Sequence, residues 1–376
     1  MYELTPYSYH LVSLNIITGM GILTNTRTKE TFRSKIEGQS EGSQSGTFLS
    51  INNFESFCMQ EYGKANIIPD MLKATDDEVY DTLQNWISYM NNTPTKRTGK
   101  SLDPATVKMY FSRVNVYLRY MGIKLHAEDV KAELTFKRVS QEERYALQLD
   151  DINKILDNIY FPMKVQLLCQ LSSLMRIGEI VQLRKKHLIL DKQNIVIKIP
   201  SAIAKLKKAR TTVFSKEASA MLRPKLRELS DNDLVFGSNE KAILAEQNSG
   251  QVLRRLLKKI GLDMKNSKGN NEINTHSFRA YGYTKLADHD PVFARKIAGH
   301  NGYLENIYSR KNDDELLARY QEFEYELTID QTKKDKVKIA QLEEDSKIKM
   351  DAMTKRLETL ENILSEKDKR LNQKES

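Results

Sequence analysis

The sequence predicts a mainly α-helical protein with a small β-sheet, divided into two domains with appendages. Three observations support this fold class. At 376 residues the chain is too long for one ordinary core. Apolar residues recur at helical spacing in several long segments. Alternating apolar residues in 194–200, followed by a second strand-like segment at 211–215, predict one β-hairpin.

The composition favours a nucleic-acid partner and a reducing compartment. The formal net charge is +9, which suits an acidic partner, with nucleic acid first. The two cysteines, Cys58 and Cys169, lie far apart and predict neither a disulfide framework nor a metal site. No apolar run approaches the roughly 20 residues that cross a bilayer, and the amino terminus lacks the features of a signal peptide. We therefore expect a soluble, cytoplasmic, nucleoid-associated protein without a membrane partner.

The amino-terminal third divides into an extension and a helical domain. Residues 1–46 are expected to form the extension, with a flexible Gly- and Ser-rich linker at 37–46. Residues 47–137 predict a compact helical domain. An acidic first turn at Asp76 and the Asp103-Pro104 pair mark two of its helix starts.

Basic residues surround the apolar face of the third helix in this domain. Gly122 is predicted to end that helix. Lys108 and Arg113 fall outside its apolar face, so both are candidates for contacts with DNA phosphates. Ordinary solvated charge around a small bundle explains these residues equally well.

Residues 138–328 predict a second domain, and an arginine stands in its most apolar stretch. Residues 165–181 are apolar on several faces, which predicts a buried helical run that contains Arg176. A buried guanidinium destabilises a fold unless it is paired or meets an anion. Glu179, three residues later, is the candidate structural partner, and a bound anion is the alternative.

The predicted hairpin concentrates positive charge at its tip. Four cations lie within six residues: Lys205, Lys207, Lys208 and Arg210. We expect a mobile basic finger that contacts DNA, because exposed hairpin tips rarely need so many charges of one sign. A merely soluble loop is the alternative.

The most reactive side chains follow Thr275. This threonine predicts a helix start, which places His276 and Arg279 on one face of the first turns. Free N–H groups at a helix start favour anions, so the setting suits one phosphate.

A histidine and a tyrosine follow the next predicted helix. That helix is expected to begin at Asp290-Pro291 and to end at Gly299, with His300 immediately after it. Tyr308 lies on a short helical run with basic residues behind it. The arrangement suggests a tyrosine held near an anion.

These residues together resemble the tyrosine recombinase (phage-integrase) family. The motifs that carry the resemblance are Leu174-Met-Arg-Ile-Gly-Glu179, Lys205 five residues before Arg210, His276-Ser-Phe-Arg279, Gly299-His300 and Ile307-Tyr308. The resemblance covers roughly residues 47–325 and is similar in style to archaeal or Xer-like integrases. It implies a helical core-binding domain over 47–137 and an α+β catalytic domain over 138–328.

The resemblance also implies a chemistry for each residue. Tyr308 would attack the scissile phosphate and form a covalent 3′-phosphotyrosyl link. Hydrogen bonds to the phosphate would come from Arg176, Arg279 and His300.

Proton transfer would fall to Lys205 and His276. The lysine would protonate the leaving 5′ oxygen, and the histidine would act as acid or base near the tyrosine. Lys207 and Lys208 share the basic finger and are alternatives for the lysine. Glu179 would orient Arg176 or its neighbours.

No metal ion or other cofactor is expected, because two guanidinium groups supply the positive charge and no carboxylate cluster would hold a metal. The partner would be double-stranded DNA, clamped from opposite faces by the two domains. A homotetramer on two DNA sites would carry out recombination.

The tyrosine assignment has alternatives. The step from His300 to Tyr308 is eight residues, whereas family members often have nine. Tyr303 and Tyr320 are therefore also candidate nucleophiles. We favour Tyr308, because Tyr303 lies too close to the histidine and Tyr320 lies inside a predicted helix.

Residues 329–376 predict a charged helical tail. Its apolar residues follow a heptad seam, namely Met350, Met353, Leu357, Leu360 and Leu364. A short coiled coil that mediates self-association and a solvated single helix are both compatible with this pattern.

Three functions are compatible with the sequence. The first is a site-specific DNA recombinase or integrase. The second is a catalytically silent DNA-binding protein of the same fold. The third is a nicking-closing enzyme that relaxes DNA without exchanging partners.

Overall fold

The computed structural model describes residues 27–95, 99–140, 143–237, 241–300 and 312–372. The chain separates into two compact units, with the division between Glu142 and Glu143. Each unit encloses its own apolar core. The predicted fold class, mainly α-helical with a small sheet, is confirmed.

The first unit is helical where the structure describes it. Its elements are α1 (Lys29–Lys35), α2 (Glu41–Tyr62), α3 (Ile68–Met71), α4 (Asp76–Asn92), α5 (Pro104–Met121) and α6 (Ala127–Glu133). Helix α5 begins after Asp103 and ends at Gly122, as its cap signals predict. In the core, the buried Trp86 ring packs edge-on against Phe54 at 5.0 Å, and its Nε1 donates to Asn53 Oδ1 at 2.9 Å.

The predicted flexible linker at 37–46 is wrong for residues 41–46, which form the first turns of α2. Ser40 caps this helix, because its hydroxyl accepts a hydrogen bond from the Ser43 N–H at 3.3 Å. The hydroxyls of Thr47 and Ser50 donate to carbonyls one turn earlier, at 2.9 Å each, so both side chains can be buried. Small polar residues therefore pack this helix.

The second unit combines helices with one small sheet. Its described helices are α7 (Leu149–Asn158), α8 (Phe161–Ser173), α9 (Ile177–Ile180), α10 (Lys216–Glu228), α11 (Ala242–Lys259), α12 (Thr275–Ala287), α13 (Pro291–Ala298), α14 (Asp313–Phe323) and α15 (Gln331–Asn372). Short 3₁₀ turns occupy Lys185–His187 and Glu324–Leu327. Its strands are β1 (Leu188–Ile189), β2 (Val196–Ile199) and β3 (Arg210–Val213).

The sheet is antiparallel, with the order β1-β2-β3. Val196 pairs with Val213, and Ile199 pairs with Arg210, so the predicted hairpin is confirmed. Strand β1 was not predicted, because two residues are too few to show an alternating pattern.

Helix α8 is buried almost throughout, and α12 packs along it at very short range. A Cβ atom on Gly282 of α12 would lie 2.2 Å from the carbonyl oxygen of Leu171 and 2.7 Å from Leu174 Cδ2. Only glycine permits this approach. The contact fixes the position of Arg279, which lies one turn earlier on α12.

Helix α15 is 42 residues long and carries several exposed apolar residues. Met350, Met353, Leu357 and Leu360 are 67%, 65%, 55% and 50% exposed. Within the described parts of the chain, no helix combines the length and apolar character needed to span a membrane. Cys58 and Cys169 are both buried and unpaired.

Candidate active site

Arg176 lies at the break between α8 and α9. Leu174 ends α8 in the left-handed conformation, with φ of 53°, and Arg176 then caps α9 in extended conformation. This corrects the predicted unbroken helical run over 165–181. The Arg176 side chain leaves the core at the break and keeps 20% exposure, so its guanidinium can meet an anion from solvent.

Glu179 holds Arg176 from two directions. Its Oε2 accepts from the Arg176 backbone N–H at 2.9 Å, and its Oε1 accepts from Nη1 at 3.4 Å. The Glu179 side chain is buried. Burial opposes its ionisation, but hydrogen bonds and charge from Arg210, and then from Arg176, hold the pKa of Glu179 below its usual value. The buried carboxylate of Glu179 therefore orients Arg176.

Arg210 is the second partner of Glu179. Its Nη1 and Nη2 donate to the two carboxylate oxygens at 2.9 and 2.6 Å, and its Nε donates to the Ile297 carbonyl at 3.2 Å. The side chain is 11% exposed. Each of its three nitrogens donates to a protein acceptor, and the expected contact of Arg210 with DNA stays a prediction.

Arg279 is buried between the ends of α8 and α13. Its Nη1 donates to the Leu174 carbonyl, and its Nη2 donates to the Ala298 carbonyl at 2.7 Å. The same Nη2 lies 2.9 Å from His300 Nε2. Burial and the nearby Arg176 charge lower the pKa of Arg279 to about 9, so the guanidinium remains positive at neutral pH. A fixed cation is therefore buried between these two helix ends.

His300 follows α13 at a glycine turn. Gly299 adopts φ of 69°, and the His300 N–H donates to the Arg295 carbonyl at 2.9 Å, so the predicted helix end is confirmed. Burial and the charges of Arg279 and Arg176 lower the pKa of His300. A neutral ring fits the contact with Arg279, because Nε2 can then accept the guanidinium hydrogen bond.

His276 lies in the first turn of α12, which Asn274 caps. Burial lowers the pKa of His276, as do the charges of Arg279, Arg144, Arg176 and Lys205, in that order. His276 and Arg279 lie three residues apart on α12, and the charges of both site arginines act on the His276 ring.

Arg144 is a residue that sequence reasoning missed. Together with His276 it lines a cavity of about 250 Å³ beside the start of α12. Arg144 lies in a polar connector without a recognisable motif. Its positive charge was therefore the only sequence signal that could have indicated a role for it.

The basic finger between β2 and β3 is exposed at each of its three lysines. Among the charges that lower the pKa of His276, that of Lys205 has the smallest effect. Lys207 Nζ donates to the Ala202 carbonyl at 3.0 Å, and Lys208 lines a small pocket with Arg176. Each lysine therefore remains accessible to an anionic ligand.

The two basic candidates of the first unit have different surroundings. Lys108 is exposed, with Nζ 6.0 Å from the Phe136 ring centre. The Arg113 guanidinium lies against Gly46 of α2, where a Cβ would be 2.6 Å from Nη1. Their contact with DNA stays a prediction.

The tyrosine candidates differ in what the structure describes. Tyr308 and Tyr303 lie outside the described residues. Tyr320 is buried within α14, and its hydroxyl donates to the Ser172 carbonyl at 2.9 Å. Its burial and its structural hydrogen bond make Tyr320 unsuitable as a nucleophile, so the choice remains between the other two.

Comparison with solved structures shows that this chain has a known fold. The Tn1549 transposon integrase, solved in complex with transposon right end DNA, has 15% identity and a TM-score of 0.51; the match covers 77% of this chain and 96% of that chain. A lambda integrase dimer bound to a COC′ core site has 13% identity and a TM-score of 0.50, with coverage of 76% and 97%. The fold is that of the tyrosine recombinases.

The sequence comparison names the family. The model of the phage integrase family matches residues 145–315. This region is similar to the phage integrase family. A comparison with curated protein sequences finds no match. The integrase region contains all six residues of the catalytic set expected from the sequence, together with Glu179 and Arg210.

Proposed function

We propose that the protein is a site-specific DNA recombinase that cleaves and rejoins DNA through a covalent 3′-phosphotyrosyl intermediate. One observation carries the proposal. The buried Arg279 donates to His300 at 2.9 Å, and the charge of Arg176 acts on both residues. Two fixed guanidinium groups and an imidazole at one place suit a phosphate that gains negative charge during reaction.

The proposed reaction begins with attack by Tyr308. Its hydroxyl oxygen forms a bond to the scissile phosphorus, and its proton passes to a base, for which His276 is the candidate. The bond from phosphorus to the 5′ oxygen breaks, and Lys205 donates a proton to that oxygen. A 3′-phosphotyrosyl link and a free 5′ hydroxyl result. Attack by a 5′ hydroxyl from another strand reverses the step and joins new partners.

The arginines and His300 stabilise the phosphorane between these steps. Removal of one such donor typically lowers the rate by ~10²–10³. The neutral imidazole of His300 is held by Arg279, so its second ring nitrogen can carry the hydrogen that faces the phosphate.

DNA is the proposed partner of both units, which places the protein with the nucleoid in the cytoplasm. We assign the core-binding role to residues 47–137 and the catalytic role to 138–328. Lys207 and Lys208 are exposed on the finger and suit phosphate contacts. The related Tn1549 and lambda integrases were solved with DNA, which agrees with this partner.

The proposed assembly is a homotetramer on two DNA sites, because exchange between two duplexes requires four cleavages. Helix α15 supplies a candidate surface for self-association. Four residues share one heptad seam and are each at least half exposed in the isolated chain, namely Met350, Met353, Leu357 and Leu360. Sedimentation of the full chain should show a larger species that Leu357→Glu reduces and Glu358→Lys, outside the seam, preserves.

The test of the function is formation of a protein–DNA adduct. The protein is mixed with a duplex from the DNA flanking its gene, nicked so that the cleaved 5′ end diffuses away, and is resolved on a denaturing gel. An adduct that is lost in Tyr308→Phe and kept in Tyr303→Phe and Tyr320→Phe supports the proposal. Salt-sensitive binding without an adduct favours the catalytically silent DNA-binding alternative. Relaxed DNA without recombinant junctions favours the nicking-closing enzyme.

A further inference from the structure

Arg210 contacts two segments whose relative position matters for the proposed reaction. It begins β3, yet its guanidinium contacts Glu179 at the start of α9 and its Nε reaches Ile297 in α13. The first contact leads directly to Arg176, because Glu179 holds that residue through its backbone N–H and its Nη1. The second contact lies three residues before His300.

The turn that carries His300 is also shaped around Arg210. A Cβ atom on Gly299 would lie 2.9 Å from both Cδ and Nε of Arg210. Gly299 has φ of 69°, so a side chain there would be strained by the backbone as well as by the contact. The Arg210 side chain therefore lies flat against this turn.

Electrostatics explains why the arginine is required at this place. Glu179 is 1% exposed, and a buried carboxylate without a partner is strongly disfavoured. Planar paired donation from Arg210 fixes both the charge and the orientation of the carboxylate. Lysine offers a compact point charge, and so cannot donate to both carboxylate oxygens and to Ile297 in the same geometry.

We propose that Arg210 is a positioning residue that sets the separation of Arg176 and His300 across the phosphate site, through Glu179 and the turn at Gly299. This inference rests on the proposed function. It assigns Arg210 no contact with DNA, in contrast to the lysines of the basic finger.

The test compares Arg210→Lys with Arg227→Lys, which makes the same change at an exposed position of α10. Adduct formation is followed over time at increasing DNA concentration and at several salt concentrations. In Arg210→Lys, the rate at saturating DNA should fall roughly 10- to 100-fold, because a misplacement of about 1 Å can cost that much. The DNA concentration for half-saturation and the salt dependence should stay within about twofold of wild type. Arg227→Lys should match wild type in all three.

A DNA contact would give the opposite pattern. Loss of a phosphate contact lowers affinity and reduces the salt slope by about one. That result in Arg210→Lys, or an unchanged rate at saturating DNA, would overturn the inference.

A second set of variants addresses coupling and folding. Arg210→Met alone leaves the buried Glu179 without its main partner and can fail to fold, so the cycle uses Glu179→Gln, Arg210→Lys and the double variant with both changes. If Arg210 acts through Glu179, the loss in rate of the double variant is smaller than the product of the losses in the two single variants. A loss equal to that product would contradict the coupling.

Hydrogen exchange separates this inference from the function on which it rests. The His300 amide donates to Arg295 in the turn that Arg210 supports, so this amide should exchange faster in Arg210→Lys and unchanged in Arg227→Lys. If wild-type protein forms no adduct, the proposed function fails, and the exchange result still decides whether Arg210 holds the turn. Unchanged exchange at His300 in Arg210→Lys would refute that role.

Discussion

The contact between α8 and α12 gives a sharp test of how the site is built. Replacement of Gly282 by alanine adds one methyl group where a Cβ would lie 2.2 Å from the Leu171 carbonyl oxygen. The obstacle is the backbone of a buried helix, which cannot move aside as a flexible side chain would. Gly250 in α11 offers a matched control, because nothing lies within 4 Å of a Cβ there.

The magnitudes follow from these surroundings. Overpacking of this kind costs about 3 kcal/mol, at the upper end of the usual range. The higher helix propensity of alanine offsets about 1 kcal/mol of that cost. Gly282→Ala should therefore lower the free energy of unfolding by about 2 kcal/mol. Gly250→Ala has only the propensity gain and should raise it by up to about 1 kcal/mol.

The assay is urea unfolding of the full chain, followed by two signals. The chain has one tryptophan, Trp86, in the first unit, so its fluorescence reports that unit, whereas far-UV circular dichroism reports both. Only the transition of the second unit should shift. A displaced α12 also moves Arg279, so adduct formation should fall by roughly tenfold or more. Unfolding of Gly282→Ala within about 0.5 kcal/mol of wild type would refute this account of the packing.

Three further predictions concern the hydroxyl of Tyr320, the two site histidines and the basic finger. Tyr320→Phe removes a hydrogen bond to a backbone carbonyl of α8, so it should destabilise the second unit by about 1 kcal/mol in urea unfolding and leave the adduct intact. Burial and neighbouring cations lower the pKa of His276 and of His300, so the unfolded chain takes up protons first as pH falls below about 6.5, and stability should decline from there towards the folded pKa values. A bound phosphate should raise the pKa of both imidazoles, so DNA binding should be accompanied by proton uptake. Calorimetry in buffers of different ionisation enthalpy measures this uptake, which should be lost when both histidines are replaced by glutamine. Lys207→Ala and Lys208→Ala should each reduce the salt slope of DNA binding by about one, and unchanged slopes would exclude phosphate contacts.

Local signals made several elements predictable from sequence. The helix starts at Asp103-Pro104 and Asp290-Pro291, and the helix ends at Gly122 and Gly299, depend on neighbouring residues alone, and all agree with the structure. The hairpin was predictable for the same reason, because its alternation is visible within each strand.

Features that depend on distant contacts were not predictable. The break after Leu174 follows an apolar run that resembles one continuous helix, and the left-handed residue that ends α8 is not a glycine. Arg210, a partner of Glu179, is 31 residues away along the chain, so the sequence did not predict their ion pair. In α2, composition suggested flexibility, whereas the small side chains serve helix packing.

We propose that Tyr308 becomes covalently linked to a 3′ phosphate beside Arg176, Arg279 and His300. The most direct measurement is mass spectrometry of the adduct after nuclease and trypsin digestion. Cleavage after Lys296 and Arg310 yields one peptide, 297–310, that contains both Tyr303 and Tyr308. Attack by Tyr308 should leave a nucleotide phosphate on that peptide, with fragment ions that place it on Tyr308. A phosphate on Tyr303, on another peptide, or on no peptide despite efficient DNA binding would contradict it.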